Sequence, residues 1–480
     1  MKGTFKAFFE VGKFALKGYS LRDKKGARFL NRKEERNLFK SSNKGILLNG
    51  KDKRISEKDS FEHMAVIAKP GMGKTTGYII PNVLDKARQD CSMVITDPSG
   101  EIFENTSKFL QGKGFNILTL NPDNLDTSCK FNPFAGLVAS DVIEIEKVCT
   151  SIIMTKYGQD KEPVWNEGAI GLLEIFAKCL AFSKPEYLNL SNINYLLQMF
   201  GDDGSDLDDW IIDNSVNPTD PDDKSIINAW IGLSSSNSNM LSSYCTIAKT
   251  ALKQLNNRQI QRLLSENDID LDGFKKQKTV LYIIIPVAQG SYYQFIIDLF
   301  YTRFFNQVMK KRPERRDKSI FCFLDEFGSG YIHDFAGIVN NIRKYRVALS
   351  IVLQSIAQLD SKYKKEAEAI KGGIGSYLVM AGVDYKTAKE FSDTIGKTLT
   401  IERNKFTDIE QRYQELNLLN PDQIRTMNDN QAVFVSKNRH PYLIDITPCY
   451  ANSSFKRAMR KGEAPLKPAN NTAILNQLRI

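Results

Sequence analysis

Eight residues, Ala68–Thr75 (AKPGMGKT), restrict this 480-residue chain to few architectures. The apolar run MAVIA precedes them and the helix-compatible TGYIIPNVLDKARQ follows, so the order is strand, glycine loop, helix. That is the context of a phosphate-binding loop, here with Ala68 in place of the first Gly. Gly71 and Gly73 let the backbone turn its N–H groups inward around a phosphate, which side chains with a Cβ would obstruct. Lys74 can reach the β and γ phosphates, the Thr75 hydroxyl can ligate Mg²⁺, and the helix adds its positive N-terminal end. The candidate nucleotide-binding residues are Lys69, Pro70, Gly71, Met72, Gly73, Lys74, Thr75 and Thr76, with ATP and Mg²⁺ as the ligands.

Further apolar runs at 92–96, 115–120, 279–285, 320–324, 348–353 and 377–381 are β-branched, aromatic-rich and unalternating. Strands of this kind are buried on both faces, as in a parallel α/β sheet. One of them, IFCFLDE at 320–326, ends in two carboxylates. Acid at the end of a core strand is costly unless a cation or substrate compensates, so Asp325 is the candidate Mg²⁺ ligand and Glu326 the candidate base for an attacking water. Gln354 ends the strand in SIVLQSIAQL and can sense a γ-phosphate. Arg343, on the preceding basic turn, can act on the nucleotide of a neighbouring subunit or simply pair with an acid. Asp97 in ITDPSGE ends another strand; the Asp-Pro step favours capping the next helix, with proximity to the phosphate site as the sharper reading.

The net charge of +10 is uneven. Residues 1–60 carry net +10 and 451–480 net +5, residues 138–271 net −10, and the remainder net +5. This suits a polyanionic partner that avoids the acidic middle. Between 137 and 271 the texture becomes helical, so the expected organisation is a basic segment 1–60, a nucleotide-binding domain from 61–137 and 272–450, an inserted all-α domain 138–271, and a flexible tail 451–480. Seven scattered cysteines without a CxxC pair suggest neither zinc nor disulfides, and point to a reducing, cytoplasmic compartment. No apolar run approaches the roughly 20 residues of a membrane span. Met1–Leu21 interleaves Phe with Lys, as an interfacial amphipathic helix or a helix docking on a partner would.

Taken together, AKPGMGKTT with IIPNVL, ITDPSGEIFE, FNPF at 131–134, FLDEFG followed by SIVLQSIAQL, and LNLLNPDQIRTM before NQAVFV resemble the conjugative coupling proteins of type IV secretion systems, over about residues 61–450. The resemblance implies a RecA-like P-loop NTPase domain with a mostly parallel sheet interrupted by an all-α domain. It also implies a homo-hexameric ring, and ATP hydrolysis driving transfer of single-stranded DNA with its relaxase. Carried onto this sequence, Lys74 and Thr75 match the phosphate loop, Asp325 and Glu326 the metal and water positions, Arg343 the intersubunit arginine, and Gln354 the Gln after the strand. Most members begin with two membrane helices, which this sequence lacks. Peripheral attachment at the inner face of the membrane, through membrane-embedded secretion subunits, is therefore expected. The rival expectations are a docking receptor switched by nucleotide and a double-stranded DNA pump.

Overall fold

The computed structural model describes residues 26–158, 163–201, 203–235, 238–402, 412–466, 468 and 478. The unalternating apolar runs form β1 (Met64–Ile67), β2 (Cys91–Asp97), β3 (Asn116–Leu120), β4 (Thr279–Ile284), β5 (Ser319–Leu324), β6 (Val347–Leu353) and β7 (Ser376–Met380). These seven are mutually parallel in the order β7-β1-β6-β5-β2-β4-β3. Two strands extend the sheet antiparallel beyond β7, β10 (Gln431–Ser436) and then β11 (Tyr442–Asp445), while β8 (Lys397–Glu402) and β9 (Arg412–Asn417) pair separately. The α/β class with a mostly parallel sheet is the one expected.

Register aligns the carboxyl ends of the central strands along one edge. Ile67 pairs with Leu353, Ile351 with Leu324, and Leu324 with Thr96. In an open parallel sheet this edge is where ligands bind.

Because strand side chains alternate, the sheet presents two apolar faces. Ala65, Ile67, Leu281, Ile283, Leu349 and Ile351 face one cluster; Met64, Val66, Val280, Tyr282, Phe321 and Phe323 face the other. The first cluster continues into the segment between β3 and β4, whose described residues contain helices and no strand. The helix Val142–Tyr157 buries Ile145, Val148, Cys149, Ile152 and Ile153, the spacing of a single helical face. It packs beside Pro163–Ser183, and Gly290–Lys310 belongs to the same cluster.

The second face holds the helix after the phosphate loop together with both flanks of the chain. Ile46, Leu47 and Leu48 are fully buried, and Asn82 brackets Leu47 by accepting its N–H and donating to its carbonyl, each at 2.8 Å. The charge break at residue 60 is thus not a packing break, because apolar residues within the basic segment complete this core. Likewise the segment expected to be a flexible tail starts with a helix, Ser453–Met459, whose Phe455 and Ala458 are buried. No helix among the described residues is long and apolar enough to cross a membrane. Met1–Leu21 lies outside the described residues.

Candidate active site

The loop Lys69–Gly73 leaves β1 and enters a helix at Lys74. Gly71 and Gly73 have φ of +81° and +77°, the left-handed region in which a Cβ is strained. A Cβ on Gly71 would project into open space. The first helical turn, Lys74–Ile79, is π-wound, with the Ile80 N–H donating to the Thr75 carbonyl. Such widened turns recur at functional sites. The start of the loop is anchored to β6, whose Leu353 carbonyl accepts the Ala68 N–H at 2.9 Å.

Four of the candidate side chains converge on this loop. Lys74 Nζ lies 3.3 Å from Asp325 Oδ1 and donates to Glu326 Oε1. Gln354 Nε2 donates to Glu326 Oε2 at 3.1 Å, and the Gln354 N–H donates to the side-chain carbonyl of Gln358 at 2.8 Å. The converging strands are β1, β5 and β6, with β6 lying between the loop strand and the strand that carries the acids. Glu326 has φ +54°, so the chain turns sharply after β5 and aims the carboxylate at the loop. Burial pulls the Lys74 ammonium down, but Asp325 and Glu326 outweigh it and leave its pKa above the ordinary value. Burial pushes the Asp325 carboxyl up and Glu326 adds to it, against the pull of Lys74.

Asp97 follows the helix-start reading. Its Oδ2 accepts the Phe103 N–H at 2.7 Å, satisfying a first-turn donor of the helix Glu101–Gln111, whose N-cap is Gly100. Its Oδ1 is buried without a partner, at the end of the strand beside β5, and burial lifts the carboxyl to about 6. Arg343 is not part of the cluster within one chain. It precedes β6, hence lies at the opposite edge of the sheet, roughly 20 Å away over seven residues of strand. It is exposed there and pairs with Glu62 at 3.3 Å.

Two residues that the sequence did not single out support the acidic turn. Asp298, buried in the helix Gly290–Lys310, accepts the Tyr331 N–H at 3.1 Å and the Gln294 amide at 2.7 Å. A charged residue inside the apolar run FIIDLFY was the available signal. Gln358, four residues after Gln354, was readable only as a helix residue.

The donor set fits a nucleotide with its metal. Among the described residues no group of three or more His, Cys, Asp or Glu is placed to hold an ion. Asp325 with a Thr75 hydroxyl instead matches the pattern of Mg²⁺, which is held by one or two protein oxygens together with substrate phosphates and water. The family described as type IV secretory system conjugative DNA transfer matches residues 19–467. The chain belongs to that family. VirD4 of Rhizobium radiobacter is 21% identical over 83% of the chain and 58% of its own length; VirD4 of Agrobacterium fabrum is 21% identical over 82% and 60%. The chain thus spans about three fifths of these relatives. The conjugative coupling protein TrwB, as its deltaN70 form, is 18% identical at a TM-score of 0.72, covering 89% of this chain and 93% of that one. TrwB with ADP and Mg²⁺ gives a TM-score of 0.70 at 18% identity, covering 89% and 94%. The fold is therefore that of the coupling proteins, α/β with a largely parallel sheet and many helices.

Proposed function

We propose that this chain is the ATPase of a conjugative coupling complex, hydrolysing ATP to recruit and move single-stranded DNA with its relaxase to a secretion channel. The observation that carries the reading is the meeting of Lys74, Asp325, Glu326 and Gln354 at the carboxyl edge of the sheet, in a chain of the DNA-transfer family. TrwB, which shares the fold, is known with ADP and Mg²⁺ and with a non-hydrolysable ATP analogue.

In this reading the loop N–H groups of Lys69–Thr76 bind the phosphates and Lys74 holds the β and γ oxygens. Thr75 and Asp325 hold Mg²⁺, which when bound neutralises charge developing on the phosphate oxygens. Glu326 accepts a proton from the attacking water, and Gln354 fixes the carboxylate that does so. Arg343 lies too far from its own loop to act there, so it serves the nucleotide of the next subunit in a homo-hexamer. The all-α segment 138–271, with net charge −10, repels DNA and recruits basic cargo protein. Attachment to the membrane runs through membrane-embedded secretion subunits that meet the basic N-terminal residues.

Measuring ATP turnover with and without single-stranded DNA tests this. Stimulation by single strands that Lys74→Ala abolishes is expected. Turnover indifferent to DNA favours a nucleotide-switched receptor, and a preference for duplex favours a double-strand pump.

A further inference from the structure

We infer that Gln358 is a positioning residue for hydrolysis, clamping Gln354 and the turn after Glu326 into one fixed arrangement. The inference rests on the roles assigned above to Glu326 and Gln354. Strand β6 ends at Leu353, so the Gln354 N–H lies just past the ladder and needs another acceptor. The Gln358 side-chain carbonyl supplies it at 2.8 Å. This also settles which end of the amide faces β6, since only oxygen can accept.

The same amide seats the acidic turn. A Cβ on Gly328 would come within 2.5 Å of both Cδ and Oε1 of Gln358, so the two segments touch through a gap that only glycine leaves. Gly328 is two residues after Glu326, whose φ of +54° places it in a conformation that persists only when its surroundings hold it. Gln354 then reaches Glu326 Oε2 at 3.1 Å. One side chain thus contacts both sides of the Gln354–Glu326 hydrogen bond: the backbone of one residue and the turn carrying the other.

The consequence is specific to the chemical step. Gln358 touches none of the loop residues 69–76 in any hydrogen bond, so binding of nucleotide does not depend on it, whereas the orientation of the Glu326 carboxylate does. A base displaced by a fraction of an ångström loses rate while affinity is kept.

The test uses the full chain with ATP and single-stranded DNA, measuring kcat, KM, nucleotide affinity and Tm. Gln358→Met keeps the volume against Gly328 but removes the acceptor; kcat should fall about tenfold with KM and nucleotide affinity within threefold of the parent, and Tm should fall only by what one unmade hydrogen bond costs. Gln358→Glu keeps an acceptor oxygen and should stay within threefold of the parent. Gly328→Ala pushes the amide away and should reproduce the loss of Gln358→Met, the double variant being no worse than the poorer single one. Parent-like turnover of Gln358→Met, or equal losses in the Met and Glu variants together with a fall in Tm, would overturn the inference. A parent that does not hydrolyse ATP, or a Glu326→Gln variant that hydrolyses it like the parent, removes the underlying site reading and this inference with it.

Discussion

Glu326→Gln should separate two jobs that one carboxylate performs. Lys74 donates to Glu326 and lies 3.3 Å from Asp325. Phosphate must take the ammonium away from both. At an effective dielectric of 20, the 3.3 Å pair corresponds to a gross attraction of about 5 kcal/mol. The Glu326 pair is of the same order before desolvation, and a charge-assisted hydrogen bond retains only about 1.5 kcal/mol of it as net stabilisation. Glu326 is 30% exposed, so water screens it further, and glutamine keeps an acceptor for Lys74. The charge alone is then worth about 1 kcal/mol, and its removal should tighten nucleotide binding three- to tenfold. Loss of the base should meanwhile lower turnover by about 10²-fold or more. Titration with a non-hydrolysable fluorescent ATP analogue and a phosphate-release assay on one preparation measure both. Turnover within threefold of the parent would refute the role as base, and an affinity unchanged or weaker would refute the latch.

Replacing Asp298 by Asn tests a buried carboxyl that burial lifts to about 7. A raised folded pKa means the native state holds a proton longer than the unfolded chain, so the parent loses stability as pH rises between roughly 4 and 7. The stability of Asp298→Asn relative to the parent should increase across that window by up to about 1.4 kcal/mol per pH unit and level off above 7, as urea titrations at several pH values would show. Asn82→Ala strips both hydrogen bonds from the buried Leu47 backbone and should cost about 2–4 kcal/mol by the same method; a loss under 1 kcal/mol would mean that segment is not part of the core. Mixing Arg343→Ala with Lys74→Ala subunits should restore partial ATPase activity at interfaces that pair an intact loop with an intact arginine. No rescue at any protein concentration would leave Arg343 an ordinary partner of Glu62.

The parallel sheet was legible because burial on both faces leaves the inner strands no polar alternation, so each registers as a short apolar block, as does the half-exposed edge strand β3. The antiparallel extension was not. Strand β11 has four residues and buries chiefly Ile444, and its place depends on pairing with β10 rather than on its own pattern. The flanks at 45–56 and 453–459 were hidden for a related reason. Their lysines and arginines dominate the charge count, while the few side chains that matter, Ile46, Leu47, Leu48 and Phe455, are too sparse to give a period.

Within the site, legibility followed chemistry that has no cheap alternative. Two adjacent acids at the end of an apolar strand require compensation by a cation or a ligand, and glycines before Lys74 mark a tight loop between strand and helix, so pattern and position singled out Asp325, Glu326 and the loop, which the structure brings together. Asp97 sat between readings because a strand-end acid before a helix suits both; Oδ2 accepts a first-turn N–H of that helix, while Oδ1 is buried without a partner. Gln358 offered nothing of the kind. A glutamine on a helix is ordinary, and its significance arises only when the turn after β5 is folded against the end of β6, bringing Gly328 and Gln354 to the same amide. Residues that act on the reacting groups are marked by the charge they must bury, whereas residues that act through another are marked only by where the chain puts them, so the supporting layer becomes visible at the level of structure.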